Sequence, residues 1–117
     1  MSRLVIRSAV DITTARYMLR KRVADEKYNP KFRARAAATL TALAEYILAT
    51  KQPSTLDMLT ISQPSKKGIE FCLTTVAKDA HADFDQLATE TVGIVDEIDH
   101  VQGPDQTRIF ARVWFTE

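Results

Sequence analysis

Cysteine occurs once in the chain, at Cys72, so no internal disulfide can form, and such usage suits a reducing compartment. Glycine is nearly as scarce. Gly68, Gly93 and Gly103 are the only three, and none belongs to a glycine-rich phosphate loop of the P-loop or dinucleotide type. Histidine occurs only at His81 and His100, far apart and in no pattern with Cys72, so neither a metal site nor a Cys–His nucleophile is expected. There is no Gly-x-Ser-x-Gly elbow. No apolar run approaches the roughly 20 residues that cross a bilayer. The opening MSRLVIRSAVD lacks the apolar core and cleavage site of a secretory leader, so the expected location is cytoplasmic.

What is present reads as one ordinary globular domain over residues 1–117, with 45% apolar and 26% charged residues. A net charge of +1 hides a division. Residues 1–51 hold 11 Lys/Arg against 4 Asp/Glu, a net of +7, and residues 52–117 hold 5 against 11, a net of −6. A basic helical half admits nucleic acid or an acidic protein as a partner, and equally a plain solvated surface. Arg16, Arg20, Lys21, Arg22, Lys31, Arg33 and Arg35 are placed to meet phosphates. Against nucleic acid stand the near-neutral total and the lack of helix-turn-helix spacing, RNP-like strand or zinc finger.

Residues 3–7 (RLVIR) form a short β-rich run. Asp11 is the expected N-cap of a helix bearing Ile12, Ala15, Met18, Leu19 and Val23 at helical spacing and fading near Tyr28. Asn29 before Pro30 signals a cap and a second helix running to about Thr50, ended by Pro53. Within it, TLTALAEYILAT places Leu40, Leu43, Ala44, Ile47 and Leu48 on one stripe, with Ala42 and Tyr46 on its flank. Residues 56–62 and 69–76 read as strands joined by a polar loop, Gln63 to Gly68. Asp83 and Gln86 form a capping-box-like pair opening a third helix. Its expected buried stripe is Phe84, Leu87, Ala88, Val92, Val95 and Ile98, with Asp96, Glu97 and Asp99 as a solvated acidic face at its end. Gly103-Pro104 breaks it, and residues 107–115 (TRIFARVWF) form the last strand. The expected order is β-α-α-β-β-α-β, a two-layer α/β (α+β) sandwich whose mixed or antiparallel sheet is covered on one face by three helices.

This order and several stretches resemble the small GHKL-type serine kinases and anti-sigma regulatory factors of bacterial partner-switching systems, which share the histidine-kinase-like ATPase fold. RSAVDITTARYMLRKRVA is similar to the family's first strand and helix, and TLTALAEYILAT to the helix carrying its catalytic glutamate and Mg²⁺-binding asparagine. KKGIEF resembles the turn into the strand that bears the adenine-reading aspartate, and IVDEIDHV…TRIFARVWF the last helix and closing strand. The resemblance implies a nucleotide cleft, yet Ala42 stands where the base would be and Tyr46 where the Mg²⁺ ligand would be. Thr75 replaces the adenine-reading aspartate, and Ala77 and Asp79 replace its flanking glycines. Alanine takes no proton, and a phenol is a poor ligand for Mg²⁺. No cofactor, no metal and no catalytic residue are expected.

The expected function is therefore a non-catalytic regulatory domain with a degenerate ATP site. Its expected partner is a protein: a STAS-domain protein, a sigma factor or a PP2C-type phosphatase, with a homodimer as a further possibility. The alternatives are an ATP-dependent serine/threonine kinase with an atypical site and a nucleic-acid-binding domain using the basic helices. In the last strand, Phe110, Arg112 and Trp114 share one face and Ile109, Val113 and Phe115 the other. The uncharged face should pack on the helices, leaving Phe110, Arg112 and Trp114 open to a partner.

Overall fold

The computed structural model describes residues 2–25, 28–50, 54–76 and 81–115. Strand β1 (Ser2–Ile6) leads into helices α1 (Ala9–Asp25) and α2 (Pro30–Thr50). Strands β2 (Ser54–Gln63) and β3 (Lys66–Thr75) follow, then α3 (His81–Glu90), β4 (Glu97–Gln102) and β5 (Thr107–Phe115). The five strands form one sheet in the order β1-β2-β3-β5-β4, with every neighbouring pair antiparallel. The two-layer α+β sandwich expected from periodicity is the architecture observed.

Local chemistry accounts for the helix starts. The Asn29 side chain accepts a hydrogen bond from the Phe32 amide at 2.8 Å, and Pro30 begins α2 as expected. Helix α1 starts three residues earlier than expected. It begins at Ala9, and Asp11 lies within its first turn, accepting from the Arg7 amide at 2.8 Å rather than standing outside as the cap.

The largest correction concerns residues 91–102. The third helix ends at Glu90, and Gly93 (φ +82°) adopts the left-handed conformation that turns the chain out of it. Ile98 therefore belongs to a strand, β4, and the order gains an element, becoming β-α-α-β-β-α-β-β. Asp96, Glu97 and Asp99 border or belong to that strand rather than forming a helix end. Val92, expected to be buried, is 79% exposed. The polar loop between β2 and β3 is shorter than expected, closing through Pro64 and Ser65 alone. Pro53, expected to end α2, lies outside the described residues, as does the side chain of Asp83.

Alternation along each strand separates two faces. Leu56, Met58, Ile69, Phe71, Leu73, Ile109, Ala111 and Val113 pack against Ile12, Ala15, Leu19 and Val23 of α1 and Phe32, Leu40, Leu43 and Ile47 of α2 in one core. Leu48, expected on the buried stripe, is 45% exposed. A Tyr28–Phe32–Phe115 aromatic cluster closes one end of the core, and Phe84 of α3 stacks on His100 of β4 with ring centres 4.0 Å apart. The opposite face of the sheet carries Arg3, Asp57, Leu59, Glu70, Cys72, Phe110, Arg112 and Trp114. Among the described residues no helix covers it.

Candidate functional site

Two surfaces hold five of the residues singled out from sequence: Ala42 and Tyr46 on one, Phe110, Arg112 and Trp114 on the other. The first is a cleft of about 150 Å³ between α2 and α3, lined by Ala42, Glu45, Tyr46 and Ala49 from one helix and Gln86, Leu87 and Glu90 from the other. Ala42 and Tyr46 come together because residues four apart share a helix flank, and Glu45 and Ala49 extend the same wall. Tyr46 is buried and Ala42 half-buried. The Gln86 amide donates to Glu90 at 2.9 Å, so the opposite wall presents an amide already engaged with a carboxylate. Glu45 and Glu90 are both exposed on the rim, and no cation joins them among the lining residues. The arrangement suits neither phosphate nor metal chemistry: carboxylates repel a polyphosphate, and two exposed glutamates on separate helices are no built cation site. Among the described residues no group of His, Cys, Asp and Glu could hold a metal ion.

Thr75 lies elsewhere. It closes β3, buried, in a row with Ser54 and Thr107 on neighbouring strands, and is not one of the cleft-lining residues. Ala77 and Asp79 lie outside the described residues.

The second surface is the helix-free face of the sheet. Phe110, Arg112 and Trp114 share it, and Ile109, Val113 and Phe115 face the helices, as alternation predicts. The three differ in availability. Trp114, expected to be open, is only 7% exposed. It lies over Gly68, donates from Nε1 to Glu97 at 2.7 Å, and carries the Lys66 ammonium 4.2 Å from its ring centre. Arg112 donates to Glu70 at 2.6 Å, with Glu97 3.8 Å away on the other side. That hydrogen bond, together with the carboxylates around it, holds the guanidinium still more firmly in its charged form. Phe110 remains half-buried, on the floor of a shallow groove of about 440 Å³ lined by Asp96, Glu97, Ile98, Asp99 and Arg112. Nearer β1, Arg3 and Asp57 pair at 2.7 Å.

Sequence reasoning missed three things here. Glu45 was findable, three residues from Ala42 on one flank. Glu90 was not, because it depends on how α3 leans on α2. Nor was the Arg35 clamp, in which one guanidinium donates to Ile94 O, Trp114 O and Asp96 Oδ2 at 3.0, 3.3 and 2.9 Å across 59 to 79 residues of sequence.

No family model matches the chain, and neither a curated protein nor a solved structure matches it.

Proposed function

We propose that this domain is a non-catalytic regulator that works by protein–protein contact, a relative of anti-sigma and serine-kinase switch proteins whose nucleotide cleft no longer serves ATP. The observation that carries the reading is the α2–α3 cleft. It lies on the helix flank where the resemblance puts the nucleotide, and it presents alanine, tyrosine and two rim glutamates. Its described walls enclose about 150 Å³, below the ~300 Å³ at which small-molecule pockets begin. The partner class that follows is a STAS-domain protein, a sigma factor or a PP2C-type phosphatase, meeting the helix-free sheet face at Phe110 and its groove.

Titration calorimetry of the full chain with ATP and Mg²⁺ tests the first half. No saturable heat is expected, and a dissociation constant below about 100 μM, worth roughly 5.5 kcal/mol, overturns it. Pairwise binding of the tagged chain to STAS-domain, sigma-factor and PP2C-type proteins of its native host tests the second. One class should bind, and Phe110→Ala should weaken it by about 2 kcal/mol. Failure of all three classes removes the proposed pathway.

A further inference from the structure

The fold engages some cations of the basic half and leaves others to solvent. Arg22 donates to Thr60 at 2.8 Å, and Arg35 holds the clamp on Ile94, Trp114 and Asp96. Arg16, Arg20 and Lys21 are exposed on α1, and none forms an ion pair with a described carboxylate. Residues three and four apart share a helix face, so Thr13, Arg16 and Arg20 form one row and Thr14, Tyr17 and Lys21 the next. Tyr17, 60% exposed, thus has Arg20 and Lys21 one turn ahead of it and Arg16 in the adjoining row. Arg16 and Arg20, four apart, repel each other, and no described carboxylate on this face offsets them. An anion would. We infer that this face of α1 binds single-stranded nucleic acid, the three cations meeting phosphates and the Tyr17 ring stacking on a base.

The near-neutral total does not describe this face. Helix α1 packs against β1 at one edge of the sheet, whereas the exposed Asp85, Glu90, Glu97 and Asp99 stand on α3 and on β4 at the opposite edge. Asp11, in the first turn of α1, is turned to the Arg7 amide at 2.8 Å. The aromatic ring among the cations selects the partner. An unpaired base offers its flat face to a side chain, whereas bases stacked inside a duplex do not, so a duplex would use the cations alone. Stacking accepts any base, which fits a chain without a sequence-reading motif. A bilayer takes a continuous apolar helix face. That of α1, carrying Ile12, Ala15, Leu19 and Val23, is buried in the core, and the exposed Val10 and Tyr17 lie two turns apart with Thr14 between them. An acidic protein would pair with the cations and make no use of the ring. This face is separate from the α2–α3 cleft and from the helix-free side of the sheet, so the inference does not rest on the proposed function.

Fluorescence anisotropy of a labelled oligothymidylate of about 12 nucleotides, titrated with the full chain, tests it. Saturable binding is expected at about 50 mM salt, with a dissociation constant below about 100 μM. Three phosphate contacts on a single strand make log K fall against log salt with a slope of about −2. Arg20→Gln with Lys21→Gln should bring that slope to about −0.7. Tyr17→Leu should weaken binding at least about fivefold with the slope unchanged, while Tyr17→Phe, which keeps the ring, should bind like the parent. The matching duplex should bind more weakly and should not distinguish Tyr17→Leu from the parent. All these side chains are exposed, so the variants should keep the circular dichroism of the parent. If the charge variant fails to fold, the slope of the parent and the two Tyr17 variants decide. Three results overturn the inference. One is no saturable binding at low salt. Another is binding indifferent to Tyr17→Leu, which marks a plain polyanion surface. The third is preference for polyglutamate or for anionic phospholipid vesicles over the oligonucleotide, which makes the partner an acidic protein or a membrane.

Discussion

Gly68 sits beneath Trp114, and the contact leaves no space for a side chain. A Cβ at position 68 would press on the Val113 carbonyl oxygen and come within 2.9 Å of Trp114 Cε3. The backbone of β5 cannot yield without disturbing its ladder with β3, so Gly68→Ala should destabilise the fold by about 1–3 kcal/mol. Urea unfolding should show a lower midpoint with an unchanged slope, and Trp114 emission should shift to the red. Lys66→Ala, which removes only the cation above the ring, should cost under about 1 kcal/mol. Cys72 makes a different prediction on the same face. Burial, then Asp57 and Glu70, push its thiol above the ordinary cysteine value. Its alkylation at pH 7 should therefore be slower than that of a free thiol. The folded thiol keeps its proton where the unfolded one has lost it, so the folded state binds more protons. Stability is full below the unfolded pKa of about 8.5 and falls as pH rises past it. Cys72→Ser should flatten that alkaline decline, as thermal melts at pH 7 and 9.5 would read.

At the scale of elements, one side chain of α2 adds a long-range tie to β4 beyond its ladder with β5. Arg35 bonds to Ile94 O and Asp96 Oδ2, and Asp96 in turn accepts from the Trp114 amide. The arginine thus pins the turn after α3 and the start of β4 to the end of β5. Arg35→Ala leaves Ile94 O and Asp96 without this donor, and should cost about 2 kcal/mol. The loss should be local first: amide exchange in residues 94–102 should accelerate while β2 and β3 stay protected. Uniform loss of protection would mean that β4 is part of the global unit. That long-range tie also explains why β4 was hidden in the sequence. Val92, Val95 and Ile98 repeat at helical spacing, so periodicity alone extends α3 through them. What decides against a helix is the left-handed Gly93, the β-branched run around it and a partner strand ten residues later, and only the first two are local. Helix α2, by contrast, was legible almost to the residue, since Asn29-Pro30 and a long apolar stripe are short-range signals.

Across the whole molecule, the cleft was half legible. The α2 wall follows from residues four apart on one helix, whereas the α3 wall follows from packing that no spacing encodes. Because the cleft is a product of two helices, restoring residue types on one should not restore a site. The test is Ala42→Glu with Tyr46→Asn, which returns the acid and amide that the resemblance associates with this flank. A glutamate at 42 joins Glu45 and Glu90 around the same small space with no cation among the lining residues, and their repulsion opposes any phosphate. Replacing Tyr46, only 6% exposed, removes a large part of an aromatic from the core, at a cost of about 2–4 kcal/mol. The double variant should therefore melt below the parent and show no saturable, Mg²⁺-dependent binding of labelled ATP. A melting temperature held or raised by MgATP would instead reveal a site that survives beneath two substitutions, and the chain would then be read as a kinase with an atypical site.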